Sequence, residues 1–301
     1  VTVARVAEQF IEKYAKARNR SWRTTERLLT LHVLPRWGGR DVQSIARAEV
    51  RDLLDDLSDT LPVGVNRVLA ALRKLFAWAA ERDLIDASPV AGIAAPAKET
   101  QRERVLSDAE VARVWRAAEA LGGVPAAFVH LLLLTGQRRT EVAGMRWADL
   151  DLEQRVWTIP REQTKGDRAH EVPLSPQAIG VLAGLGRVGD HVLTAHRLTR
   201  DAPLSGFSKV KARLDREIGE IEPWRFHDLR RTVGTGLARL GVPVSTISRV
   251  LNHAEGGVTK IYNRHSYLGE KRVALEAWGR HLDALLGRGN GGEVVPLLAA
   301  S

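Results

Sequence analysis

The stretch HDLRRTVGTGLARLGVPVSTISRVLNH, residues 227–253, decides how the second half of the chain folds. From Val233 to His253 it reads as two helices around the turn Gly241-Val242-Pro243, where proline cannot continue the first helix. It opens on His227 and Arg230, three residues apart, and closes on Asn252 and His253. Asn tolerates a left-handed backbone better than most residues, so a tight turn at Asn252 can deliver His253.

Upstream, Ser107 and Glu110 form a capping box that starts a new helix, so the second domain is expected to open near Arg104. A second helix is expected after Pro125, and it carries AAFVHLLLL, Ala126 to Leu134, into a Thr135-Gly136 turn. That apolar run reads as a buried helix, being far too short to span a bilayer. Arg155 to Ile159 and His170 to Pro173 read as two strands joined around Lys165 and Gly166. Ser175-Pro176 is an N-cap with proline at the first helical position, and the pattern is then mostly helical to Leu286. Gly289, Gly291 and Gly292 tether a short apolar end, EVVPLLAAS.

The first part is helical by periodicity. Val3, Val6, Phe10, Ile11 and Tyr14 share one face, as do Val68, Leu72, Leu75, Phe76 and Ala79. Ser21, Gly39 and Pro62-Val63-Gly64 divide this region into four helices. The stretch 85–104, with Pro89, Pro96 and small residues between, loses the pattern and reads as a linker. The fold class expected is therefore mainly α in two domains. A four-helix bundle occupies 1–97, a linker 98–104, and a mixed α+β domain, mostly helical with a small antiparallel sheet, 105–287, followed by a flexible tail at 288–301.

With 301 residues, a net charge of +9 and a pI near 10.2, the chain suits a polyanionic partner. Arg18, Arg20, Arg23, Arg67, Arg73 and Lys74 lie on the outer faces of the first bundle and are candidate phosphate contacts. Cysteine is absent, which excludes disulfides and thiolate metal sites and permits a cytoplasmic location. No export signal or membrane span is expected. The chain opens on Val1 rather than Met, leaving open an unusual start or a longer protein.

Six residues of the second half form one chemical kit for breaking a phosphodiester bond. Arg138 and Arg230 can hold non-bridging phosphate oxygens, Lys165, His227 and His253 can move protons, and Tyr262 can attack phosphorus. No metal or other cofactor is needed for that chemistry. A phenol ionises near pH 10, so neighbouring cations and a base must help it.

The segments TGQRRTEV (135–142), QTKGDRAHEVPL (163–174), HDLRRT (227–232) and LNHAEGGVTKIY (251–262) resemble, in order and spacing, the tyrosine recombinases of the phage integrase family. Arg138 with Glu141 matches its first box, His227 with Arg230 its second, Lys165 the hairpin lysine, His253 the following histidine and Tyr262 the nucleophile nine positions later. Gln137, Arg139 and Asn252 depart from its usual residues. The resemblance implies a core-binding N-terminal bundle of the SAM-like type and a catalytic C-terminal domain that clamp double-stranded DNA. It further implies a site-specific integrase that works through a 3′-phosphotyrosyl intermediate. The expected assembly is a homotetramer on paired sites, with accessory proteins conceivable and the tail at Glu293 to Leu298 packing onto a neighbouring protomer. Glu141 is expected to orient Arg138 or a histidine.

Two other readings stay open. A type IB topoisomerase uses a similar constellation, and a DNA-binding regulator without catalysis would use the helix-turn-helix of 233–253. His227-Asp228 hints at a metal phosphohydrolase but lacks a second carboxylate-rich motif.

Overall fold

The computed structural model describes residues 1–98, 103–164, 166, 168–194, 201–253 and 267–288. The chain divides into two compact units, Val1–Arg102 and Glu103–Ser301.

The first unit contains four helical runs. The first joins α1 (Val3–Phe10) to α2 (Lys16–Arg18) through a π-helical turn at Ile11–Ala15. The second joins α3 (Trp22–Leu28) to α4 (Leu34–Trp37) through another such turn at Leu29–Val33. Pro35 sits in the first turn of α4, and a helix carrying a residue without an N–H must yield just ahead of it. Then come α5 (Arg47–Thr60) and α6 (Gly64–Ala80). Val3, Val6, Phe10, Val68, Leu72, Leu75, Phe76 and Ala79 are buried as their spacing requires. Tyr14, expected in the core, is only partly buried: it packs at the edge of the core, its ring stacked on Phe10 at 5.5 Å.

The patternless stretch after α6 is packed rather than free. Ile85, Val90 and Ile93 enter the core, and the Asn66 amide donates to the Ala97 carbonyl at 2.7 Å and accepts from its N–H at 3.1 Å. Arg73 donates to the carbonyl of Ile93.

In the second unit, α7 (Asp108–Leu121) begins at the expected capping box: Glu110 N–H reaches Ser107 Oγ at 3.3 Å and Ser107 N–H reaches Glu110 Oε2 at 2.8 Å. Next, α8 (Gly123–Thr135) buries every residue from Ala126 to Thr135. It starts three residues ahead of the expected point, with Pro125 inside its first turn, where a missing N–H is harmless. His130 is tolerated there because its ring stacks on Trp115 at 4.0 Å and its Nε2 meets the Trp115 carbonyl.

After α9 (Arg139–Ala143) comes an antiparallel sheet of three strands in the order β1 (Leu150–Asp151), β2 (Val156–Ile159), β3 (His170–Pro173). β1 was not legible in the sequence: two residues carry no alternation. β2 starts at Val156, since Arg155 has φ +54°. Ile159 pairs with His170 and Trp157 with Val172, so His170 and Val172 share the buried face.

The remaining helices among the described residues are α10 (Pro176–Ala183), α11 (Phe207–Ile218), α12 (Phe226–Arg239), α13 (Val244–Val250) and α14 (Leu268–Leu285). Ser175 caps α10 by accepting from Ala178 N–H at 3.3 Å. α12 and α13 flank the expected turn, with Gly241 at φ +78°. α14 packs on β3, α12 and α13. Trp278 on α14 is fully buried and donates its indole N–H to the Leu133 carbonyl at 2.7 Å.

Candidate active site

The site is built around the ends of α8 and α13. α8 stops at Gly136, whose φ is +64°. A Cβ there would lie 3.0 Å from Val233 and 3.1 Å from Leu251, so glycine meets both the backbone sign and the close approach. The chain then starts α9, and Glu141 caps it: its Oε2 accepts from Arg138 N–H at 2.8 Å while its Oε1 accepts from Arg138 Nη1 at 2.9 Å. Glu141 is 1% exposed and the Arg138 side chain 24%. Arg138 Nη2 goes on to the carbonyl of Asn252 at 3.1 Å.

Arg230 arrives from α12, is buried, and donates Nη1 to the Gly136 carbonyl at 2.8 Å and Nη2 to the Leu251 carbonyl. Both partners are neutral oxygens, and among the described residues no carboxylate bonds it.

α13 ends in a Schellman turn. Asn252 takes the left-handed conformation, φ +47°, its N–H bonds Arg249 O at 3.2 Å, and His253 N–H bonds Ser248 O at 2.9 Å. This closes the carbonyls of Ser248 and Arg249, and the next three are left for side chains. Val250 O receives Gln137 Nε2 at 2.8 Å and His170 Nε2 at 3.2 Å, Leu251 O receives Arg230, and Asn252 O receives Arg138. One helix end thereby fixes both guanidiniums and places His253.

The electrostatics follow from that crowding. Burial first, then the charge of Arg138, pulls Arg230 down to about 10, with Glu141 opposing, so it stays a cation at neutral pH. The His227 imidazole is pushed below its ordinary value by desolvation, then by Arg231, Arg230 and Arg138, against Asp228. His253 moves the same way by desolvation, then by Arg230, Arg138 and His227. Among the described residues, two cations with one carboxylate between them, beside two histidines whose imidazoles are pushed toward the neutral form, make a site short of negative charge and furnished with proton acceptors.

Lys165 and Tyr262, like the tail from Glu293 to Leu298, lie outside the described residues. Next to Lys165, buried Thr164 closes the β2–β3 loop, its Oγ1 donating to Arg168 O at 2.7 Å and accepting from Arg168 N–H at 3.2 Å. Tyr267 caps α14 in a left-handed conformation and carries the Arg249 guanidinium 3.6 Å over its ring. Asp228 caps α12, accepting from Arg225 N–H at 2.8 Å, and pairs with Arg231 at 3.1 Å. Its lone pairs are spent on structure, and among the described residues no group of three or more His and acidic side chains could hold a metal. Arg139 points to solvent and lies over Phe207 at 4.4 Å.

In the first unit Arg18 lies over Tyr14 at 5.2 Å, and Arg23 and Lys16 flank Trp22 at 4.6 and 5.0 Å. Arg20, Arg67 and Lys74 are exposed, and Arg73, also exposed, is tied to Ile93. Sequence reasoning missed His170 as a site residue. Its signal was a histidine sharing a strand face with Val172, where a buried imidazole needs a partner.

A model of the phage integrase family matches residues 104–268. The chain belongs to the phage integrase family. Among curated relatives, prophage integrase IntZ of Escherichia coli (strain K12) is 29% identical over 269 residues, covering 88% of this chain and 66% of IntZ. The chain thus spans just under two thirds of that integrase. Among solved structures, a lambda integrase tetramer bound to a Holliday junction has a TM-score of 0.68 at 19% identity, covering 85% of this chain and 78% of that one. The Tn1549 transposon integrase in complex with circular intermediate DNA has 0.67 at 17%, covering 92% and 99%. At these identities the likeness speaks for the integrase fold. No helix among the described residues is long and apolar enough to cross a membrane.

Proposed function

We propose that this member of the phage integrase family is a site-specific DNA recombinase that cuts and rejoins strands through Tyr262. The observation that carries the reading is the pair Arg138 and Arg230, anchored on adjacent carbonyls with, among the described residues, one carboxylate for two positive charges. A phosphodiester supplies the missing anion, and its pentacoordinate transition state, with more charge on the oxygens, is held more tightly still.

Tyr262 Oη attacks phosphorus and its proton passes to His227, which is neutral at working pH. The P–O5′ bond breaks, Lys165 protonates the departing oxygen, and a 3′-phosphotyrosyl ester remains. His253 hydrogen-bonds the phosphate, and Glu141 orients Arg138. The 5′ hydroxyl of a partner duplex then attacks the ester and releases the tyrosine. Ester energy is conserved, so side chains alone suffice.

The first unit, a core-binding bundle of the SAM-like type, contacts double-stranded DNA through Arg18, Arg20, Arg23, Arg67 and Lys74, with Arg73 bracing Ile93. Four protomers act on two duplexes, a reading supported by the lambda integrase neighbour, which is a tetramer bound to a Holliday junction. A cysteine-free protein acting on DNA fits the cytoplasm.

The test is to incubate the protein in EDTA with DNA carrying its attachment site and a nick beside the scissile phosphate. A covalent adduct on a denaturing gel, lost in Tyr262→Phe and kept in Tyr267→Phe, is expected. Binding without an adduct would return the helix-turn-helix regulator.

A further inference from the structure

Two buried side chains outside the reacting set converge on one oxygen. His170, at the start of β3, and Gln137, in the turn after α8, both meet the carbonyl of Val250, at 3.2 and 2.8 Å, and are 7% and 1% exposed. That carbonyl only accepts, so His170 Nε2 carries its hydrogen. Gln137 Nε2 also donates to Thr135 O at 2.9 Å. Turning its amide over would set Oε1 against two carbonyls, so the orientation is forced. Gln137 Oε1 meanwhile has no hydrogen-bond partner among the described residues. A buried amide that leaves its oxygen unmatched is kept for what its NH2 does.

Val250 O is the first of the three carbonyls at the end of α13, and the next two hold Arg230 and Arg138. We infer that His170 and Gln137 are positioning residues for strand cleavage: by clamping Val250 O they fix the end of α13, and through it the two arginines and His253. The inference rests on the recombinase reading.

The clamp has to be rigid to matter. α13 is seven residues long, and a shift of its end displaces both guanidiniums together. His170 acts as a neutral donor, because desolvation, then Lys271 on α14, then Arg230 and Arg138, oppose a charge on it. Lys271 is itself buried and donates to the Glu171 carbonyl at 2.6 Å, so the cation beside His170 is held in place by the same strand.

The experiment measures single-turnover adduct formation on nicked DNA together with DNA affinity. His170→Leu is expected to slow adduct formation about 10- to 100-fold, the range for a small misplacement of catalytic groups, with affinity unchanged. His170→Gln, whose NH2 reaches where Nε2 stood, restores most of the rate. Gln137→Met is the second variant and shows the same split between rate and affinity. Combined with Arg230→Lys, His170→Leu adds little, since it acts through that arginine. An unchanged rate in both His170→Leu and Gln137→Met overturns the inference. So does a loss that His170→Gln leaves unrepaired and that adds in full to Arg230→Lys. If wild type forms no adduct at all, it is the recombinase reading that fails, and the clamp's catalytic role falls with it.

Discussion

Arg138 donates to the carbonyl of Asn252 across 114 positions of chain, and that carbonyl is available because Asn252 has a left-handed backbone. A side chain in one box of the sequence is set by the backbone sign of a residue in another.

Asn252→Val is therefore expected to lose about 1–2 kcal/mol, since a β-branched residue resists the left-handed conformation. Asn252→Gly keeps wild-type stability. Thermal melts read the difference as a drop of a few degrees for Val, and the Val variant should also form adduct more slowly, because His253 and the Asn252 carbonyl that holds Arg138 move together.

Removing Glu141 leaves Arg138 without its buried counter-charge. Glu141→Ala should cost about 3 kcal/mol, the low end for a broken buried pair, because Arg138 keeps partial access to water. Glu141→Gln retains one hydrogen bond and falls between. Urea titrations give the order Glu, Gln, Ala, and Ala at wild-type stability would contradict the pairing.

The pH dependence of folding carries a signature of His170. Its pKa drops from 6.5 to about 3 on folding, so the unfolded chain binds the extra proton between those values. Stability from this residue is complete above 6.5 and is lost as pH falls toward 3. From pH 7.5 to 5 the loss is about 2 kcal/mol, at 1.36 kcal/mol per unit. The stability gap between wild type and His170→Leu should narrow by that amount over the same interval in parallel denaturant curves.

DNA binding by the first unit is testable through salt. Arg18 and Arg23 rest on Tyr14 and Trp22 at 5.2 and 4.6 Å, which holds each guanidinium at the surface. Replacing both with Ala should weaken DNA binding alike for all sequences and flatten the slope of log K against log salt by about 0.9 per lost contact. An unchanged slope would remove them from the interface.

What the sequence made legible were features with local causes. The Ser107–Glu110 box, the Ser175-Pro176 start, the turn at Gly241 and the left-handed Asn252 each depend on a few neighbouring residues, and each is present. The Thr135-Gly136 turn and Glu141 were visible for the same reason. The sheet's first strand, the packing of 85–97 onto α6 and the clamp on Val250 were not. They arise from pairings such as Asn66 with Ala97 and His170 with Val250, 31 and 80 positions apart, which no local pattern encodes.

The three carbonyls at the end of α13 that hold side chains also bear on how the proposed recombinase can evolve. A seven-residue helix is too short to absorb distortion internally, so a change at Thr246 or Ile247, one turn from its end, reaches Arg138 and Arg230 without altering either. Selection for faster or slower strand exchange therefore has a dial on α13 separate from the reacting groups, and a library confined to Val244–Val250 should yield rate variants whose chemistry is intact.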